Sequence, residues 1–380
     1  MSDSDPSFKV VVICPWFFAR DAVGAAARDT YLALKHDNTF DVSAIYTVND
    51  YDDVSGICVS SVAEMILEPT FLDADVLIYV FAVYHELFDA LLVGNGKAQQ
   101  IVRFHNVTPK SLMPEKHWPI IDRSFVQITN FSHADEIWAD SQENFEELLR
   151  QGDFESRTLI VPIAVPPLVR AKLSEKPIDT IEMAYVGRFF ESKGVLDVVR
   201  AAAMVRSLSE IPFRVRLFGN LKFSDPEYVL NIRQEIKRLG VQEHVDFVGS
   251  ATPEALAKAY RTAHIYLTGS RHEGFCVPVI EGLAAGCLPV SYNISNLRFI
   301  GGGLGRLAIH HTPAALADQL VTLMSDLHEG RSLSLDIGKT SVAEFDAKAD
   351  DYVRQFAPSA FESNIRDLVK ARCWTRKSLP

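Results

Sequence analysis

IYLTGSRHEGFCVPVIEGLAAGCLPV, residues Ile265–Val290, is the stretch from which the fold can be read. Ile265–Leu267 is a short apolar run of the kind found in buried strands. A loop carrying Glu273-Gly274 follows, and a helix over Pro278–Ala285 closes on Gly286 before a second apolar strand, Leu288–Ser291. Proline just inside a helix start and glycine just past its end is the asymmetry helices favour. Strand, loop, helix and strand in this order predict a parallel, doubly wound unit.

The same rhythm continues outward in both directions. Upstream lie strands at Ile181–Val186, Phe213–Phe218 and Val245–Val248, separated by helices at Gly194–Ser207, Asp225–Leu239 and Pro253–Thr262. Downstream come a strand at Arg306–Ile309 and helices at Pro313–His328 and around Ala360–Lys370. The first half repeats the pattern, starting at Lys9–Cys14 (KVVVIC). It continues through strands Asp41–Tyr46, Asp75–Val80, Gln100–Phe104, Glu136–Ala139 and Arg157–Val161. Helical composition appears at Gly24–Leu34 and at Gln142–Arg150, the latter with Ser141 as cap. Val165-Pro166-Pro167 and the charged Ala171–Thr180 read as a linker. The expected architecture is α/β with two Rossmann-like doubly wound domains, 1–165 and 166–356, facing across a cleft. A C-terminal helix, about 357–380, is expected to pack back on the first domain.

Composition narrows the functions. With 380 residues, 48% hydrophobic and 23% charged, the chain has the length for two or three domains and the apolar content for a core in each. Its longest apolar runs, Val10–Ile13 and Val76–Val83, are far short of a membrane span. Met1–Ser7 is polar and acidic, unlike a signal peptide. Five cysteines (Cys14, Cys58, Cys276, Cys287, Cys373) without CxxC spacing predict free thiols in a cytoplasmic setting. Residues 1–165 carry a net charge of −14 and the remainder +3, which disfavours nucleic acid as partner and assigns any anionic ligand to the second half. Asn95–Arg123 departs from the acidic trend through Lys97, Arg103, Lys110, Lys116 and Arg123. The tail Lys370–Lys377 is also basic around Trp374. Both segments read either as solvated surface or as a patch for an anionic partner.

Four clusters carry chemistry. In Ile265–Val290, amides of Gly274, Phe275, Cys276 and Val277 would point outward at a helix start, an anion site by geometry and dipole. Glu273 and Glu281 could accept hydrogen bonds from the vicinal hydroxyls of one ligand. In Tyr185–Gly194 (YVGRFFESKG), Gly187 and Arg188 end a strand and Lys193 opens a helix, two cations suited to a diphosphate. In Pro15–Ala27, Gly24 precedes a helix of small residues and admits a close phosphate approach. In Arg103–Pro109 (RFHNVTP), His105 follows a strand and overhangs the cleft. Asp73-Ala74-Asp75 reads as a loop-to-strand turn rather than a metal site. His310-His311 lacks further ligands at metal spacing, so no metal is expected.

These motifs in this order resemble the retaining nucleotide-sugar glycosyltransferases of family 4, which have the GT-B architecture. Ala134–Ser141 (ADEIWADS), Val245–Ser250 (VDFVGS) and the helix-terminal EGLAAGCLPV extend the likeness over nearly the whole chain. The resemblance implies that Arg188 and Lys193 neutralise the donor diphosphate, replacing a metal. It places phosphate and sugar on the amides of Phe275, Cys276 and Val277. Glu281 would take the ribose diol, Glu273 the donor-sugar hydroxyls, His105 the transferred sugar, Gly24 the phosphates and Val248 with its neighbours the base. The donor would be a GDP- or UDP-linked sugar with no separate cofactor, and the domains would close on it. The HNVTP segment is similar to that of bacterial polysaccharide-assembly mannosyltransferases. This implies GDP-mannose, a saccharide or lipid-linked saccharide acceptor, and peripheral contact of Phe104–Arg123 and Lys370–Lys377 with the inner face of the cytoplasmic membrane. Two positions depart from the family: Ala25 follows Gly24 where a second glycine is usual, and Asn220 follows Gly219. The other readings are a transferase for a soluble small acceptor, a nucleotide-sugar epimerase or hydrolase, and a non-catalytic nucleotide-sugar-binding scaffold. His105 also reads as a hydrogen-bonded structural histidine.

Overall fold

A computed structural model describes residues 7–17, 22–49, 56–167 and 169–377, with the backbone alone for 374–377. Met1–Pro6, residues 18–21 of the Pro15–Ala27 loop and the Trp374 side chain lie outside the described residues. The chain divides into two units, 1–164 with 358–380, and 165–357.

The first unit holds a sheet of β1 (Phe8–Ile13), β2 (Phe40–Thr47), β3 (Gly56–Cys58), β4 (Val76–Phe81), β5 (Gln99–Phe104), β6 (Glu136–Ala139) and β7 (Arg157–Ile160). They are ordered β3-β2-β1-β4-β5-β6-β7, and every pair is parallel. Side chains alternate across it: Val11, Ile13, Leu77, Tyr79 and Phe81 fill one face, Val10, Val12, Val76, Ile78 and Val80 the other. A sheet buried on both sides explains strands that read as continuous apolar runs. The helix Pro358–Lys377 supplies Phe361, Ile365, Val369 and Cys373, four residues apart along one stripe, to the second of these faces, beside the helix Ala22–Lys35.

The second unit repeats the plan with β8 (Ile181–Val186), β9 (Phe213–Phe218), β10 (Val245–Gly249), β11 (Ile265–Leu267), β12 (Leu288–Tyr292) and β13 (Arg306–Ala308). Their order is β10-β9-β8-β11-β12-β13, again parallel throughout. A two-stranded antiparallel hairpin, β14 (Leu333–Leu335) with β15 (Gly338–Thr340), completes it. In each sheet strand order reverses at one point, beside β1 and β4 in the first and beside β8 and β11 in the second. Ligands of such sheets bind outside the carboxyl ends of the strands there.

Several expectations need correction. Ala171–Thr180 is not a free linker: Leu173 and Lys176 are buried, and the Leu173 and Ser174 amides donate to the Asp346 carboxylate. The Lys176 ammonium donates to the Ala263 and Gly286 carbonyls, ending two helices of the second unit, where a cation suits the helix dipole. Charge made this segment look solvated, but its one inward lysine is satisfied by carbonyl oxygens. Gly24 does not precede its helix; it lies buried inside Ala22–Lys35. Arg103 and Phe104 do not belong to an exposed basic, aromatic surface. Both are fully buried, because they end a central strand of a sheet covered on both faces. Elements unanticipated from the sequence include the helices Trp118–Ile128 and Val342–Arg354, the latter opened by a capping box of Ser341 and Glu344.

Candidate functional site

The site in the second unit is built at the reversal of strand order. β8 and β11 pair with Ile265 against Met183 and Tyr266 against Ala184, so their carboxyl ends finish side by side. The Gly187–Gly194 loop leaves one and the Thr268–Cys276 loop leaves the other. Lys193 Nζ donates to Glu273 Oε1 at 2.7 Å, with both side chains partly exposed. Residues eighty apart thus form a charge pair in which both groups remain accessible to a polar ligand.

Glycine makes this approach possible. Gly194 has φ +61, and a Cβ on it would collide with the Gly269 carbonyl oxygen; Gly269 in turn has no room for a side chain beside Gly194. The Arg271 amide donates to the Ser192 carbonyl at 2.8 Å, and the Arg271 guanidinium pairs with buried Asp197 at 2.6 Å. Asp197 also accepts from the Tyr292 hydroxyl at 2.9 Å. These bonds lock the Lys193 loop to the Glu273 loop. Ser295 and Asn296 fix the latter from the other side: the Ser295 hydroxyl lies 3.0 Å from the Glu273 amide and 2.6 Å from its carbonyl, and Asn296 Nδ2 donates to the Phe275 carbonyl at 2.7 Å. Gly269, Arg271, Asp197, Ser295 and Asn296 were not anticipated. Thr268-Gly269-Ser270 at a strand end was the one available signal, and the others act only through tertiary contact.

The helix Val277–Ala284 begins at the end of this loop. Its N-cap is Cys276, with φ 78 and no side-chain cap bond. The amides of Phe275, Cys276 and Val277 make no hydrogen bond within the described residues, leaving a helix start that suits an anion. Gly274 lies between Glu273 and these amides. Burial pushes the Cys276 thiol well above its usual range, so it acts as an apolar group. Glu281 stands one turn into the helix; the Tyr260 hydroxyl donates to its Oε2 at 2.9 Å, and burial raises its carboxyl above the usual range. A ligand diol therefore finds one oxygen already engaged. Arg188 is exposed and lies over the Phe190 ring at 5.5 Å. At Gly187 a Cβ would press on the Tyr185 hydroxyl. Val248 is exposed on β10, where register with β9 shifts between Phe247 and Gly249.

Of the candidates in the first unit, Gly24 is buried in its helix, and His105 lies just beyond β5. Its Nδ1 is 2.6 Å from Asp140 Oδ2, and its carbonyl accepts from Asn144 Nδ2 at 2.8 Å. Lys110, in the basic segment, pairs with Asp122 at 2.7 Å and stands over the Trp118 ring, while Lys116 is exposed. Among the described residues no helix is long and apolar enough to cross a membrane.

The fold is that of GT-B glycosyltransferases. Anabaena Alr3699/HepE in complex with UDP superposes with a TM-score of 0.72, covering 96% of this chain and 100% of that one at 15% identity. Residues 171–334, within the second unit, match the family described as "Glycosyl transferases group 1". The D-inositol 3-phosphate glycosyltransferase of Corynebacterium efficiens is 30% identical over 155 residues, covering 40% of this chain and 36% of that protein. The GDP-mannose:cellobiosyl-diphosphopolyprenol alpha-mannosyltransferase of Xanthomonas oryzae is 29% identical over 147 residues, 37% of each chain. The matched stretch thus spans little more than a third of these relatives.

Proposed function

We propose that the chain is a glycosyltransferase that moves a hexose from a nucleoside-diphosphate sugar to an acceptor hydroxyl. The observation carrying this reading is the convergence of Lys193, Glu273 and the open helix start at Val277 where strand order reverses. In it, Lys193 and Arg188 neutralise the diphosphate as the glycosidic bond breaks, an electrostatic task that a metal performs elsewhere. The amides of Phe275, Cys276 and Val277 hold phosphate and sugar, and Gly187 and Gly274 keep their loops close to it. Glu281 takes the ribose, Glu273 the donor sugar, and Val248 borders the base. His105 contacts a sugar hydroxyl.

The name of the Xanthomonas relative supports GDP-mannose as donor and a lipid-linked acceptor, while retention of anomeric configuration rests on the resemblance of the motifs alone. A small soluble acceptor is the second reading. The net charge of −14 over residues 1–165 favours it, because an anionic lipid surface repels such a domain. Turnover of GDP-mannose and UDP-glucose with lipid-linked and soluble acceptors, with and without EDTA, tests the proposal. We expect transfer from one nucleotide sugar, insensitive to the chelator. Lys193→Ala should weaken nucleoside-diphosphate binding about 10- to 100-fold, the usual loss for a charge-assisted contact. Donor cleavage without acceptor would instead make the protein a hydrolase, and binding without turnover a scaffold.

A further inference from the structure

The first unit contains a buried ionic chain that the site above leaves unexplained. Arg103, the penultimate residue of β5, is fully buried, and its Nε donates to Asp140 Oδ1 at 3.0 Å. Its other nitrogens reach the Val161 carbonyl at 3.2 Å and Thr30 Oγ1 at 3.4 Å, and the Phe361 ring covers the guanidinium at 5.1 Å. Asp140, just beyond β6, is also buried, and its second oxygen meets His105 Nδ1 at 2.6 Å. Arg103 and Asp140 therefore balance each other's charge, and one carboxylate oxygen remains to hold the imidazole.

Asp140 holds the imidazole through Nδ1, and Asn144 holds the backbone of the same residue by donating to the His105 carbonyl. Asn106, the next residue, has φ 124, strain of a kind that persists where the surroundings over-determine the backbone. His105 Nε2 is buried and has no hydrogen-bond partner among the described residues. A buried polar atom without a partner costs free energy, so a fold that fixes a ring this firmly while leaving one nitrogen bare has set that nitrogen aside for something else. In a neutral ring, the hydrogen bond made by one nitrogen decides the role of the other.

We infer that Asp140 is a positioning residue that holds His105 with its proton on Nδ1, so that bare Nε2 accepts a hydrogen bond from a sugar hydroxyl, with Arg103 as the buried counter-ion. The sugar in this statement rests on the function proposed above; the tautomer does not. Asp140→Asn presents an amide to the ring and removes the preference for Nδ1–H. With GDP-mannose or UDP-glucose, whichever is turned over, kcat should fall about 10- to 100-fold while donor KM stays within twofold. His105→Ala should show a similar loss, and the double variant no further one. A kcat within twofold of wild type in Asp140→Asn, or losses that multiply in the double variant, would overturn the inference.

Because Asp140→Asn leaves a buried arginine without its counter-ion and can fail to fold, the wild-type protein supplies a second readout. Histidine 15N spectra, assigned by difference against His105→Gln, should show a protonated Nδ1 and an unprotonated Nε2; the opposite tautomer refutes the role of Asp140. Absence of any sugar transfer by the wild type would refute the proposed function, while the spectrum would still decide the tautomer.

Discussion

At the scale of single residues, one buried histidine of the second unit is hydrogen-bonded in a way that makes folding sensitive to pH. His264, one residue before β11, accepts the Glu182 amide on Nδ1 at 3.1 Å, and its Nε2 lies 2.9 Å from the Pro177 carbonyl. Burial, and then the positive charge of Lys176, lower its pKa to about 4. The unfolded chain takes up this proton near pH 6.5 and the folded chain only near 4. The contribution is thus fully present above pH 6.5 and is lost as pH falls toward 4, to a limit on the order of 3 kcal/mol. His264→Gln, which cannot ionise, should flatten the decline of unfolding free energy between pH 7 and 4.5. Parallel curves for the two proteins would show that the ring is not held neutral. His264 sits at the amino end of β11, away from the Glu273 loop, so nucleotide binding at pH 7.5 should be unchanged.

At the scale of elements, the decisive contact is between two loops that leave adjacent strands. Gly194 opens the helix Val195–Leu208 in the left-handed region, and the Gly269 carbonyl fills the space where its Cβ would stand. Gly194→Ala meets both obstacles at once, a disfavoured φ and a backbone collision. It should cost about 3 kcal/mol or more and separate Lys193 from Glu273. Denaturant unfolding with nucleotide titration checks this: a variant of wild-type stability that binds normally would mean the loops are not constrained as described. The strands other than β3, β14 and β15, the Ser141 cap and the helix Val277–Ala284 were legible because period and end signals are local. The helix Trp118–Ile128 was not, because prolines and charges at its start resemble a loop. Val342–Arg354 carried a legible signal in Ser341-x-x-Glu344 that hydrophobic spacing alone passed over.

At the scale of the whole molecule, the first unit is assembled from both ends of the chain. Phe361, Ile365, Val369 and Cys373 are buried against the same sheet face as Val10, Val12 and Tyr31. Arg366 donates to the Ala33 carbonyl, and Lys370 pairs with Asp37 at 2.6 Å. Removing residues 358–380 uncovers this face and the Arg103 guanidinium beneath Phe361. Each large side chain lost from such a core typically costs 2–5 kcal/mol. The truncated chain should therefore lose the cooperative unfolding of its first unit, while the second, with its own core, keeps its transition and its nucleotide-induced rise in melting temperature. Loss of both transitions together would show that the second unit depends on that helix.

The local code was enough for two runs of alternating strands and helices, and for the motifs that end them. Strand period, proline and glycine at helix ends, and charged residues beyond strands are properties of neighbours in the chain. Tertiary structure alone decided which of those motifs meet. Lys193 reaches Glu273 because β8 and β11 are adjacent, an order set by how parallel strands share helices across a sheet. Arg103, which reads as surface charge, is buried because β6 brings Asp140 to it, and the same carboxylate holds His105. A side chain's partner across a sheet is fixed by packing, and no spacing along the sequence encodes it.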